Sequence, residues 1–359
     1  MSRQNPAQAD ALNVELVRGD IVESEHHISM AMVDVRGQNL ITFGDTTKPT
    51  YLRSSAKPFQ ALPFVERGYA ERFQFTSQQL AILCASHSGT DLHVGIVREL
   101  LEDHDLSESN LQCGTHTPFD GSTAARLLSQ GESPTPLRHN CSGKHTGMLL
   151  FTQLADEDIK NYLQRSVLVQ QTILHVFSEM VSVKEDEIEV GIDGCSAPNF
   201  AVPLQAAALG YARLMDPSDL GELRSQACRR VVQAMLSNPE IVAGAGRFDT
   251  DLMQTVKGRL LAKGGAEGYQ AIGIPPEQLP NRLSAGLTLK VHDGDSGKRV
   301  VGLITLVILS TLGLVTLEEQ SQLSTYGERQ LFNYMNLPIG EIRLAEESRI
   351  RLQKAYERI

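Results

Sequence analysis

The chain has 359 residues, of which 41% are hydrophobic and 21% charged, with a formal net charge of −10. That composition excludes a disordered chain and suits one large folded domain or two intimate ones with a sizeable core. The acidic balance, with no Lys/Arg block to override it, excludes ordinary nucleic-acid binders.

Residues 13–43 alternate apolar and polar side chains, with Gly19 and Gly37 as turns, and predict two or three antiparallel strands. From Lys57 the pattern turns helical. Val94, Val97 and Leu101 recur on one helical face, so Asp91 to Glu102 reads as an amphipathic helix. A helix opening near residues 140–142 continues through Met148 to Leu154. Residues 156–181 are helical with room for one break, and Asp156 is the expected N-cap. Glu187 to Ile192 is a short strand. Pro203 to Leu214 and Pro217 to Leu236 are helices. Tyr269 to Ile274 and Ser284 to Val291 are strands, the second meeting a turn at Asp293-Gly294-Asp295. The greasiest run, Val300 to Val315, is shorter than the about 20 residues that cross a bilayer. It reads as a buried helix, with a buried strand as the alternative because of its β-branched content. The tail is a charged amphipathic helix.

Strands at both ends and helices between them imply an α+β fold, an antiparallel sheet from both chain ends with a largely helical middle region. One compact unit over residues 1–359 is expected. Its sub-lobes are a terminal sheet lobe (residues 13–60 and 265–359) and a helical lobe (residues 61–264). Five cysteines in so long a chain suggest no disulfide framework. The first dozen residues are polar and lack a signal-peptide core. Together these point to a cytoplasmic protein with no membrane partner.

Reactive side chains gather in knots of small residues, away from the long apolar runs. Ser54 and Lys57 stand in S-x-x-K spacing, which puts an amine within reach of a hydroxyl on a first helical turn. A desolvated lysine loses basicity and can serve a serine nucleophile. Pro58 opposes this, because it biases Lys57 away from helical geometry. Ala85-Ser86-His87-Ser88-Gly89 precedes the amphipathic helix. It offers either a nucleophile or plain capping by Ser88 or Asp91. Cys141 and Lys144 sit at a helix start and Cys195 follows a strand. Two thiolates brought together suit zinc, whereas separate free cysteines are ordinary buried residues. Lys263, among glycines, resembles the K-T-G lysine of serine β-lactamases, or is a flexible surface lysine. Arg247 to Asp251 reads as helix capping by Asp249 or Thr250. No P-loop, G-x-S-x-G elbow or full calcium loop occurs.

Taken in order, R-S-S-A-K-P-F-Q, A-S-H-S-G, C-G-T-H, H-N-C-S-G-K-H-T-G, G-I-D-G-C-S-A-P-N-F and G-R-F-D-T-D-L-M resemble the type II-like L-asparaginase family of rhizobial type. The resemblance runs from Val14 to Val291, and residues beyond that carry no motif to compare. It implies a fold like serine β-lactamases and β-lactamase-like glutaminases, a homodimer, and hydrolysis of L-asparagine to L-aspartate and ammonia. It implies two Ser–Lys tandems, Ser54 with Lys57 and Ser86 with Lys263. It implies zinc on Cys141, Lys144 and Cys195, with Asp193 and His145 around the metal or the substrate. The expected substrate-binding set is Arg53, His87, Asn140, His145 and Asp193. Ser54 is the expected nucleophile, and Ser86–Lys263 the relay. The rival readings are a glutaminase or other β-lactamase-like amidase, and a non-catalytic protein that binds zinc or an amino acid.

Overall fold

The computed structural model describes residues 10–358. Its strands are β1 (Leu12–Arg18), β2 (Ile21–Asp34), β3 (Asn39–Phe43), β4 (Glu189–Ile192), β5 (Pro198–Val202), β6 (Leu261–Gly265), β7 (Tyr269–Ile274), β8 (Ala285–Val291), β9 (Arg329–Phe332) and β10 (Pro338–Leu344). The helices that matter below are α1 (Lys57–Glu66), α2 (Ser77–Leu83), α3 (Asp91–Glu102), α4 (Ser142–Leu154), α5 (Leu168–Val181), α6 (Leu204–Met215), α7 (Glu222–Ser237), α8 (Phe248–Thr255), α9 (Val301–Thr311) and α10 (Glu346–Tyr356).

The described chain divides into two units. The sheet unit holds residues 10–50, Pro203–Asp216 and 254–358; the helical unit holds Tyr51–Val202 and Pro217–Met253. These bounds move residues 51–60 out of the expected sheet lobe, because Leu52 N–H bonds to Phe200 O beside α1. They bring α6 into the sheet unit, because it packs on β8.

The sheet is antiparallel with order β9-β10-β1-β2-β8-β7-β6, and β3 pairs with β2. Its centre is the β2–β8 pair, where Met30 faces Leu289 and Met32 faces Leu287. Gly286 lets α6 lie directly on β8. A Cβ there would stand 1.9 Å from Ala208 O and 2.8 Å from Tyr211 Cβ. Ser284 and Thr288 hydroxyls donate to Ala212 O and Leu204 O on α6, at 3.0 and 2.8 Å. The greasy run is the buried helix α9. The aspartate before it closes the helix start: Asp295 Oδ2 accepts from the N–H groups of Val300 and Val301, each at 2.9 Å.

Other expectations change. The tail contains the β9–β10 hairpin before its helix α10; its strands are short and interrupted by Pro338 and Gly340, which hid their period. Asp156 is no N-cap. It lies after α4 with φ of 60°, and the next long helix begins only at Leu168. α8 starts at Phe248, so Asp249 and Thr250 are inside it. Thr90 is the residue at the N-cap of α3, where neither Ser88 nor Asp91 stands.

In the helical unit, α1 is buried from Lys57 to Val65 and packs among α5 and α7. Phe59 meets Phe177 edge-on at 5.6 Å, and Phe177 stacks on Phe200 of β5 at 4.8 Å. β4 and β5 form an antiparallel pair leading into and out of the Asp193-Gly194-Cys195-Ser196 turn.

Candidate active site

Lys57 opens α1 in helical geometry, φ −60° and ψ −39°. Pro58 is tolerated because it occupies the first turn, where its missing N–H has no helical partner. The lysine is 1% exposed. Its Nζ lies 2.6 Å from Ala85 O, 2.8 Å from Ser86 Oγ and 3.4 Å from Asn140 O. Burial lowers its pKa, with Cys141 acting against the shift and Lys144 adding to it. A neutral amine fits these partners. Two N–H groups go to the carbonyls, which can only accept, and the lone pair is left for the Ser86 hydroxyl proton.

Ser54 sits on the short turn Arg53–Ala56 just before α1, half-buried, and its hydroxyl takes no hydrogen bond within the described residues. The printed lysine contact therefore runs to Ser86, which is 4% exposed, and not to the serine three residues earlier. Lys263 lies on β6 of the sheet unit, fully buried, with Nζ donating to Gly264 O at 2.9 Å.

Cys141, Lys144 and Cys195 are all buried. Lys144 Nζ donates to Cys195 Sγ at 3.1 Å. A hydrogen bond from the cysteine pair itself holds the Cys141 thiol well below its usual range; burial opposes this and Lys57 and Lys144 assist. Burial would lower Lys144, but the charges of Cys195 and Cys141 outweigh it and raise the amine. Gly143 is what seats this turn. A Cβ there would stand 2.2 Å from Ile82 O, so the start of α4 rests on the backbone that ends α2. Among the described residues no three His, Cys, Asp or Glu side chains gather to hold a metal. The expected set has only two such residues, with a lysine as its third member.

Arg53 and Asp193 form an ion pair, with both Nε and Nη2 at 2.8 Å from Oδ1. Burial would raise the Asp193 carboxyl; Lys144 and Arg53 reverse this and hold it low. Arg53 takes φ of 50°, a left-handed conformation rare for a side-chain-bearing residue, and its N–H is fixed by Asn199 Oδ1 at 3.1 Å.

Two of the expected substrate contacts are engaged elsewhere. His87 Nδ1 accepts from Gly89 N–H at 3.2 Å and Nε2 pairs with Ser142 Oγ at 2.9 Å, so both nitrogens are used inside the protein. His145 is fully buried, its Nδ1 2.6 Å from Tyr162 Oη. Burial pulls its pKa down to about 4. Asn140 contributes its carbonyl to Lys57 and has its N–H on His116 Nε2 at 3.0 Å. Asn199, Tyr162 and His116 were not singled out by sequence. Asn199 lies within the G-I-D-G-C-S-A-P-N-F stretch and His116 within C-G-T-H; nothing around Tyr162 marks it.

A family model described as L-asparaginase II matches residues 14–344. The chain is an enzyme of the L-asparaginase II family. The match runs past Val291 to the end of β10, over residues where no motif was legible. Among curated proteins nothing matches the chain. A solved structure titled as Mglu in its native form in the presence of 4.3 M NaCl is similar at 16% identity and a TM-score of 0.39. That similarity covers 74% of this chain and 55% of the other, so it spans little more than half of its neighbour. Among the described residues, no helix is long and apolar enough to cross a membrane.

Proposed function

We propose that this asparaginase-family enzyme hydrolyses the side-chain amide of L-asparagine to L-aspartate and ammonia through a serine acyl-enzyme. The observation that supports it best is the buried Lys57 amine on the Ser86 hydroxyl, one turn from a reachable Ser54.

In this reading Ser54 Oγ attacks the amide carbon and its proton passes to the Lys57–Ser86 pair. Catalytic hydrogen bonds are often long before substrate arrives, so the gap at Ser54 is compatible with this role. The C–N bond then breaks, and ammonia leaves with a proton returned by the same pair. Water attacks the resulting ester, gives up its proton to Lys57, and frees aspartate and Ser54. Backbone N–H groups on the negative oxygen would supply about 3 kcal/mol each. Lys263 belongs to the proposal as the second lysine the family resemblance implies. Arg53 and Asp193 bring opposite charges that match the α-carboxylate and α-ammonium of a free amino acid.

The donor set Cys141, Lys144 and Cys195 fits zinc: two thiols and an amine, all buried, with His145 Nε2 left without a full partner nearby. When bound, zinc would supply a fixed positive charge that keeps both cysteines as thiolates and Lys144 neutral. A homodimer in the cytoplasm completes the proposal.

The test has two arms. Ammonia release is measured with L-asparagine and L-glutamine side by side, and the quenched enzyme is digested and weighed. Release from asparagine with an acyl mass on the Ser54 peptide is the expected result, and Ser54→Ala should lose roughly 10³-fold or more. The mass on the Ser86 peptide would reverse the two serines. Release mainly from glutamine would make the enzyme a glutaminase, and binding without release would make it a binding protein.

A further inference from the structure

Tyr162 is fully buried, and its phenol oxygen lies 2.9 Å from the Gln112 backbone N–H and 2.6 Å from His145 Nδ1. The Gln112 N–H can only donate, so it fills an acceptor position on Oη. The phenol proton then goes to Nδ1. Were it placed elsewhere, a buried O–H would lack an acceptor, at a cost of about 1–3 kcal/mol. The hydrogen-bond network thus assigns the ring proton of His145 to Nε2. That nitrogen is buried and meets no partner at full hydrogen-bond geometry among the described residues. The Cys195 sulfur is nonetheless close enough to act on the ring as an acceptor. The same sulfur receives Lys144 at 3.1 Å.

We propose that Tyr162 is a positioning residue, which fixes His145 as an Nε2–H donor to the Cys195 thiolate and so holds that sulfur ready as a metal ligand. This rests on the zinc reading of the Cys141–Lys144–Cys195 cluster. Hydrogen bonds to an anionic acceptor are the strong ones, so a preset N–H favours the thiolate that a metal needs. Without the phenol proton, the imidazole is free to carry its hydrogen on Nδ1 and to turn a lone pair toward the sulfur. Removing such an outer partner commonly lowers metal affinity 10–100-fold. Tyr162→Phe is the sharp probe, because it keeps the ring that meets His145 edge-on at 5.6 Å and deletes only the hydroxyl.

The experiment uses the full-length protein labelled with ¹⁵N-histidine and loaded with zinc. Proton–nitrogen correlation spectra read the tautomer of His145, and competition with a chelator reads zinc affinity. The expected result is an Nε2–H ring in the wild type, and a Tyr162→Phe protein with a mixed tautomer and a zinc affinity on the order of 10-fold weaker. A wild-type ring protonated on Nδ1 would overturn the proposal, as would a Tyr162→Phe affinity within about twofold of wild type, well short of the usual loss. If Tyr162→Phe does not fold, His145→Gln, which keeps an N–H donor, must hold zinc more tightly than His145→Leu. Equal affinities would sink the idea. If the wild type takes up no zinc, the metal reading fails, and the spectrum of the metal-free protein still decides the tautomer.

Discussion

In the sheet unit the most buried side chains are Met30, Leu287, Leu289, Ile304 and Leu306, with Lys263 as the exception. In the helical unit the same depth holds Lys57, Lys144, His87, His145, Cys141 and Cys195 alongside its leucines and phenylalanines. The first interior is assembled from surfaces that leave water willingly. The second is assembled partly from groups that resist leaving it and stay only because each has a matched partner. The contrast teaches where this chain gives up stability for chemistry, and it yields measurements that break or sharpen it.

The largest effect should come from Lys57→Met, which keeps the length of the side chain and deletes the amine. Ammonia release should fall about 10²–10⁴-fold, the usual share of a positioned acid–base group. Unfolding free energy in urea should hold or rise, because a buried ionisable group gives way to apolar packing. A stability loss as steep as the activity loss would make Lys57 a structural residue and erase the contrast.

Next in size is Gly286→Val in the sheet unit. Its Cβ meets the Ala208 carbonyl, so α6 must lift from β8, at a cost on the order of 3 kcal/mol. Urea unfolding should show this loss; a change below about 0.5 kcal/mol would mean that the interface yields freely.

The gentlest probe is pH. His87, His93, His139 and His145 are all buried in the helical unit, and burial is the first cause lowering each pKa, to about 4 for His139 and His145. The unfolded chain binds these protons near pH 6.5 and the folded chain does not, so folding stability is complete above that value. It should fall as pH drops from about 6.5 toward 4, and level off below the folded values. Unfolding curves across that range, with His87→Gln showing a shallower fall, check the sign. A stability that rises on acidification would mean these rings are protonated in the folded state.

Much of the fold was legible because its signals are local. The alternation in residues 13–43, the stripe of α3 and the greasy α9 each carry their period within one window. The β9–β10 hairpin escaped because four- and seven-residue strands broken by proline and glycine show no period long enough to read. The candidate site was legible as residue types, since Ser, Lys and Cys among glycines have no use in an ordinary core. Its pairings were not. That Lys57 reaches Ser86, or that Asn199 pins Arg53, depends on turns that bring together residues 29 and 146 positions apart. Tyr162 carried no signal at all, because its partners, Gln112 and His145, belong to distant stretches of the chain.

Gly143 has a consequence for redesign. An enzyme like this invites libraries that widen its choice of amide, and residue 143 touches neither serine nor substrate, so it would look like a free position. Yet any side chain there must displace either Ile82 or the first turn of α4, and that turn carries Lys144. Variants at 143 would then arrive as correctly folded, inactive proteins with every reactive residue intact. A sequence comparison of the survivors would record only an unexplained glycine.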